Sequence, residues 1–273
     1  MFIDVDKCAG CYNCFLACKD EFCGNDYPSY SSSQPASGHY WMRLSEIERG
    51  TYPKVKLSYV PVPCMQCEDA PCTKVSQDNA VYSRDDGIVI IDPEKAAGQK
   101  EIVASCPYEA IFWNEEKQVA QKCTFCAHLL DQGWKEPRCV ETCPNGALIF
   151  GDLDDPESEI SKARAKHKIE ILHPEHGLKP SVCYVGLPKR FVAGEVIFGD
   201  QSDECAKGII VTLANGVDNV ETITDGFGDF EFEGLEPDTE YLIGIKHDGY
   251  APEEFNVKTN VDVNLGEIVL TPV

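Results

Sequence analysis

Four cysteines near the amino terminus restrict the fold of this chain more than any other feature of its sequence. They are separated by two, two and three residues, at Cys8, Cys11, Cys14 and Cys18. At this spacing a tight loop places three thiolates around one [4Fe–4S] cluster, while the fourth starts a helix and points toward a second cluster. A core of packed apolar side chains needs no thiols at such intervals. The motif therefore predicts an iron–sulfur fold and a partner motif elsewhere in the chain.

The 15 cysteines in 273 residues require either disulfides or bound metal as an explanation. A secreted disulfide protein would start with a basic and then an apolar segment, whereas residues 1–7 form a short strand-like run with acidic members. The sequence also has no run of about 18 apolar residues that could span a membrane. We therefore expect metal binding in a reducing, cytoplasmic compartment, with export beside a partner that carries a twin-arginine signal as the alternative.

Three further cysteine groups follow the first one. They are C-x2-C-x4-C, then a single Cys-Pro, then C-x2-C-x12-C-x3-C-P, at Cys64, Cys67, Cys72, Cys106, Cys123, Cys126, Cys139 and Cys143. The last spacing is also typical of zinc-finger ligands. Zinc is disfavoured there because Cys143 precedes a proline, as Cys106 does, and because the first motif needs a partner that ends in this way.

Counting the ligands predicts three [4Fe–4S] clusters. With crossed fourth ligands, the first and last groups complete one cluster on Cys8, Cys11, Cys14 and Cys143 and a second on Cys123, Cys126, Cys139 and Cys18. The middle pair of motifs has lost four expected ligands, at Ser76, Ala96, Gln99 and Ile102. All four would have served a single cluster. The four survivors therefore form one complete third site, on Cys64, Cys67, Cys72 and Cys106, although a structural zinc or a vestigial site is the alternative.

Charge and strand pattern change near residue 190. The net charge of −22 disfavours a nucleic-acid partner, and residues 190–273 hold 18 acidic against 4 basic side chains. Seven short alternating segments follow, separated by turns, at 192–198, 209–214, 221–224, 229–233, 241–247, 254–258 and 261–270. We expect an α+β protein of two domains: residues 1–188, an iron–sulfur domain with inserts, and residues 189–273, a seven-stranded antiparallel β-sandwich.

Several smaller features lie outside the cysteine groups. The long insert from Cys23 to Pro63 is predicted to be functional or interfacial. Asp155 before Pro156 predicts a helix start there. The remaining cysteines are expected to be small buried residues, at Cys23, Cys183 and Cys205. No nucleophile–base pair or phosphate-binding glycine loop is present, so we predict no catalytic residue in this chain.

The order of the four motifs, the run Pro61-Val62-Pro63-Cys64, the segment 86–92 and the segment 150–156 resemble the electron-transfer small subunits of molybdopterin oxidoreductases of the dimethyl-sulfoxide-reductase family. The resemblance covers residues 1 to about 185. It implies a duplicated bacterial ferredoxin-like domain in a heterodimer with a large catalytic subunit, which would hold molybdenum with bis-molybdopterin guanine dinucleotide.

Those subunits usually carry four clusters, so the predicted loss of one is a departure from the family pattern. This loss, the segments 41–53 and 122–131 and the added sandwich together make the chain similar to one branch of the family. The complexes of that branch move hydroxyl groups between polyhydroxylated benzenes. The sandwich itself is similar to transthyretin-like or carboxypeptidase-regulatory-like domains. The alternatives are a subunit that delivers electrons to a related reductase, such as an aromatic dehydroxylase or an oxyanion or polysulfide reductase, and a free polyferredoxin.

Overall fold

Two units organise the chain, and a computed structural model describes them for residues 1–201 and 204–273. The cysteine unit comprises Met1–Glu46 and Ser58–Leu187, and the sandwich unit comprises Ile47–Leu57 and Pro188–Val273. Within the described residues, no helix is long and apolar enough to cross a membrane.

The cysteine unit consists of short elements joined by the loops that carry the cysteines. Its strands are β1 (Phe2–Asp4), β2 (Met42–Thr51), β3 (Lys54–Pro63), β4 (Val81–Ser83), β5 (Val89–Ile91), β6 (Ile111–Asn114), β7 (Val119–Lys122), β8 (Leu148–Ile149) and β9 (Cys183–Val185). Its helices are α1 (Asn13–Phe22), α2 (Pro71–Val75), α3 (Glu101–Ala104), α4 (Ala127–Leu130), α5 (Arg138–Glu141) and α6 (Glu159–Lys166). Strands β2 and β3 form a hairpin whose tip belongs to the sandwich unit.

The strands of the cysteine unit pair in small local sheets. β1 lies between β8, which is antiparallel to it, and β9, which is parallel. β4 pairs with β5 and β6 with β7 in antiparallel hairpins, and an Asp-Gly turn with Gly87 at φ +78° closes the first. Helix α6 begins later than predicted, because the Ser158 hydroxyl, rather than Asp155, accepts from the Ser161 backbone N–H at 3.2 Å and caps the helix.

The sandwich unit has seven strands in two sheets. They are β10 (Arg190–Phe198), β11 (Ile210–Ala214), β12 (Asn219–Ile223), β13 (Asp229–Leu235), β14 (Glu240–Ile245), β15 (Glu253–Lys258) and β16 (Val263–Leu270). One sheet has the order β13-β10-β16 and the other β12-β11-β14-β15, and their inner faces share one apolar core. The prediction of a purely antiparallel sandwich is wrong, because β16 lies parallel to β10. Local alternation shows a strand but carries no information about the direction of a distant partner.

The hairpin tip, Ile47–Leu57, forms ion pairs with the rest of the sandwich unit. Lys54 pairs with Asp229 at 2.7 Å, and Lys56 contacts both Glu231 and Glu233. At the turn, Gly50 adopts φ +81°, and a Cβ there would lie 2.3 Å from the Lys54 carbonyl oxygen. Only glycine fits this close approach. The predicted domain boundary after residue 188 did not include this second segment.

Candidate iron–sulfur sites

The first site is a cavity whose lining includes Cys8, Cys11, Cys14 and Cys143. The loop that carries the first two of these cysteines turns at Gly10, which has φ +67°, and a Cβ there would lie 2.6 Å from the ring of Tyr59. Helix α1 then begins after Tyr12, which has φ +61°, and its first turn carries Cys14. The glycine is therefore required both by its backbone angle and by the close tyrosine ring.

Burial and mutual repulsion act on the thiols of the first site. The pKa of Cys14 is raised to about 11, mainly by burial and then by the neighbouring Cys8, Cys143 and Cys11. Four thiolates in one cavity would therefore repel one another without a cation between them. Bound metal supplies the positive charge that deprotonates such ligands.

The second site brings together Cys18, Cys123, Cys126 and Cys139, all of them buried. Cys18 lies on α1, one turn after Cys14, but the thiols that raise its pKa, after burial itself, are those of Cys123 and Cys126. Burial is also the main cause of the raised pKa of Cys139, followed by Cys126, Cys123 and Cys18. The Phe125 backbone N–H donates to the Cys123 sulfur at 3.4 Å.

The third site is a second cavity, lined by Cys64, Cys67, Cys72 and Cys106. The pKa of Cys67 is raised to about 12, mainly by burial and then by Cys64, Cys106 and Cys72. The first and third cavities thus have the same four-thiol lining. Four thiols are the donor set of a [4Fe–4S] cluster, and the residues present fit such a group, although four thiols also bind zinc.

The positions from which ligands were predicted to be lost hold ordinary structural contacts. Ala96 and Ile102 are completely buried. Gln99 accepts from the Gln77 backbone N–H at 2.8 Å and donates to the Lys95 carbonyl at 2.8 Å. Ser76 accepts from the Val81 backbone N–H at 3.2 Å. Apolar packing and hydrogen bonds thus occupy the positions where a fourth set of cluster ligands would stand.

The three sites adjoin one another in a fixed order. Cys64, from the third site, lies close enough to Cys123, from the second, to act on its pKa, which burial raises first and the Cys64 thiol next. Cys14, from the first site, contributes to the raised pKa of Cys139, from the second, in addition to burial. The second site therefore lies between the first and the third.

The three cysteines outside these sites differ in exposure. Cys183 is buried, as predicted, Cys23 is half-buried and Cys205 is exposed, so the prediction of a buried residue is wrong at Cys205. Sequence reasoning also missed two buried polar residues at the third site, Gln66 and Lys122. A polar residue next to a cysteine motif gives no local sign that it will be buried.

Comparison with known proteins extends this picture. A family model described as a 4Fe-4S dicluster domain matches residues 55–153. The pyrogallol hydroxytransferase small subunit of Pelobacter acidigallici is 43% identical over 99% of this chain and 98% of its own length. A putative dimethyl sulfoxide reductase iron-sulfur subunit of Halobacterium salinarum is 37% identical over 68% of this chain and 78% of its own. A tetrathionate reductase subunit of Salmonella typhimurium is 37% identical over 70% and 74%.

Proposed function

Since this chain belongs to the iron–sulfur electron-transfer subunits of the dimethyl-sulfoxide-reductase family of molybdopterin oxidoreductases, we propose that it is the small subunit of a transhydroxylase that converts pyrogallol to phloroglucinol. The extent of similarity carries the proposal. The pyrogallol hydroxytransferase small subunit matches 99% of the chain, whereas the dimethyl sulfoxide and tetrathionate reductase subunits match 68% and 70%. The additional share is close to the length of the sandwich unit.

In the proposed complex this chain holds three [4Fe–4S] clusters through twelve cysteines. The ligand sets are those of the first, second and third sites, and each combines thiols from loops with at least one thiol from a helix. When bound, each cluster accepts and releases one electron with little movement. The chain's own part is to fix the three sites in a row and to surround their sulfur atoms with backbone N–H groups and apolar side chains, which tune cluster potentials.

The partner in this proposal is a large catalytic subunit that holds molybdenum with bis-molybdopterin guanine dinucleotide. A relay works only when one end lies close to the partner's cofactor, so the two subunits need a permanent interface, of the order of 2,000 Å² or more. Moving a hydroxyl group between two aromatic rings requires no net electrons. The role of this chain is then to set the redox state of the partner's molybdenum, and not to supply electrons at every turnover.

The domain arrangement and cellular location are also proposals. Residues 1–188 would form the ferredoxin-like electron-transfer domain and residues 189–273 an interaction domain that serves the complex. The complex would work in the cytoplasm, where free thiols stay reduced until a cluster is bound, with export beside a partner that carries a twin-arginine signal as the alternative.

A reductase complex is the second candidate, and the names of several relatives favour it, including a tetrathionate reductase subunit and a selenate reductase subunit. Purification of the complex with its large subunit separates the two. We expect molybdenum, pterin and hydroxyl transfer from one polyhydroxybenzene to another without an added electron donor. Turnover that requires a reduced dye and consumes about two electrons per product would instead establish a reductase.

A further inference from the structure

Lys122 is a lysine whose side chain is almost completely removed from water. It is the last residue of β7, is 2% exposed, and lines the cavity of the third site together with its four cysteines. An ionised ammonium in such a place is strongly unfavourable unless a negative charge compensates it. The position of Lys122 therefore raises the question of which anion balances it.

The polar contacts of Lys122 are to neutral backbone groups. Its ammonium donates to the Val89 carbonyl and, at 3.1 Å, to the Cys123 carbonyl. Gln66 contacts the backbone of the same two residues. Its amide donates to the Cys123 carbonyl at 2.9 Å and accepts from the Val89 N–H at 2.8 Å. An ammonium has three donors, and only two of them have an acceptor among residues 1–201 and 204–273.

No carboxylate within the described part of the chain lies within ion-pair distance of Lys122. Lys122 lines the same cavity as the four cysteines of the third site, so a cluster held by these thiols is the negatively charged group that its ammonium would face.

We propose that Lys122 is the buried counter-charge of the third cluster and holds that cluster's reduction potential above the value it would otherwise have. The proposal rests on the three-cluster function proposed above. A fixed positive charge stabilises the more negative, reduced form of a nearby cluster, and the effect is strong because water is excluded. Lys122 thereby makes the third cluster easier to reduce, so that this cluster can take up electrons as part of the relay.

The chain offers a matched control in Lys179. This lysine lies beside the same cysteine loop, since its carbonyl accepts from the Glu68 backbone N–H at 2.8 Å, and its ammonium pairs with Glu68 and Asp69 at 3.5 Å. It is exposed, so water and these two carboxylates screen it. Lys122→Met and Lys179→Met remove the same formal charge, one buried and one solvated.

The test is a redox titration of the purified complex, in which electron paramagnetic resonance follows each cluster separately. We expect Lys122→Met to reduce the third cluster's equilibrium constant for reduction at least tenfold, which is 59 mV for a one-electron couple. The second cluster should shift less and the first not measurably, and Lys179→Met should leave all three in place. A third-cluster potential unchanged in Lys122→Met, or equal shifts in both variants, would overturn the proposal.

Two further variants keep the test decisive if Lys122→Met loses the third cluster. Lys122→Arg keeps the charge and Lys122→Gln removes it while keeping a hydrogen-bond donor. Retention of the cluster in the arginine variant alone supports a need for charge, whereas loss in all three variants shows a purely steric role and refutes the inference. The iron content of the unaltered complex separates this outcome from a failure of the proposed function: about 12 irons per chain establishes the three sites independently of Lys122.

Discussion

Exchange of ligands between the first and last cysteine groups can be tested by removing the two thiols that cross. Cys18 lies one turn after Cys14 on helix α1, and a ligand set built from neighbours in the sequence would assign both to one cluster. The structure instead places Cys18 beside Cys123 and Cys126, and places Cys143 in the cavity with Cys8. Cys18→Ala should therefore damage the second cluster, and Cys143→Ala the first.

The size of the effect follows from the number of irons. Three intact clusters give about 12 irons per chain, and removal of one of four thiolates leaves either an empty site, at about 8, or a three-iron cluster, at about 11. Each variant should reach one of these values, and the two remaining clusters should keep their spectra. Cys23→Ala is the matched control, because Cys23 directly follows α1 and belongs to none of the three sites.

The assay combines iron and sulfide analysis of the purified complex with low-temperature electron paramagnetic resonance of each reduced cluster. Two further variants identify the signals. Cys123→Ala should affect the same signal as Cys18→Ala, which is that of the second cluster. Cys8→Ala should affect the same signal as Cys143→Ala, which is that of the first. If Cys18→Ala changed the signal that Cys8→Ala also changes, the crossed assignment would be refuted. A loss of iron in Cys23→Ala would show that α1 as a whole had been disturbed.

Three other perturbations test the third site, the first loop and the hairpin tip. Cys106→Ala should lower iron from about 12 to about 8 per chain, or to about 11 if a three-iron cluster persists. Cys205→Ala, the control, should leave the iron content unchanged. Metal analysis that finds zinc at the third site would contradict the proposed cluster. Gly10→Ala places a Cβ 2.6 Å from a tyrosine ring, at a residue whose φ is +67°. The backbone angle alone costs about 1–2 kcal/mol. On heating, the first cluster of this variant should therefore be lost before the others. Asp262→Ala leaves two backbone N–H groups without their acceptor, at about 1–3 kcal/mol each, so amide exchange should accelerate in β10 and at the hairpin tip. Lys56→Ala, which removes half-exposed ion pairs of about 0–1 kcal/mol, should change exchange little, and an equal effect of the two variants would argue against this ranking.

The cysteine sites are the part of this structure that sequence spacing predicts best, because a cluster demands four thiols at distances that a short loop and one crossed ligand must satisfy. Residues 8, 11, 14 and 143 line one cavity even though nearly half of the chain separates the last from the others. The sequence also indicates where ligands are missing. Positions such as Ala96 and Ile102 hold residues that cannot bind iron, and both are completely buried.

Features that depend on partners far away in the sequence could not be predicted. The parallel pairing of β16 with β10 and the inclusion of Ile47–Leu57 in the sandwich unit are both of this kind. Lys54 and Lys56 show an alternating charge pattern, but nothing local indicates that Asp229 and Glu231 are their partners. The start of α6 was missed for a smaller reason: two capping signals, at Asp155 and Ser158, lie within one turn, and the hydrogen bond forms at the second.

The order of the three sites, combined with their exposure, restricts how electrons pass through the chain. The second site lies between the others and all four of its cysteines are buried, whereas the first includes the exposed Cys11 and the third the half-buried Cys106. A donor or acceptor outside the chain can therefore approach the first or third site, but not the second. Under the proposed function, one end of the row faces the partner's molybdenum and the other remains open to an external redox partner. Under the proposed role of Lys122, its buried charge also stabilises an added electron at the third site.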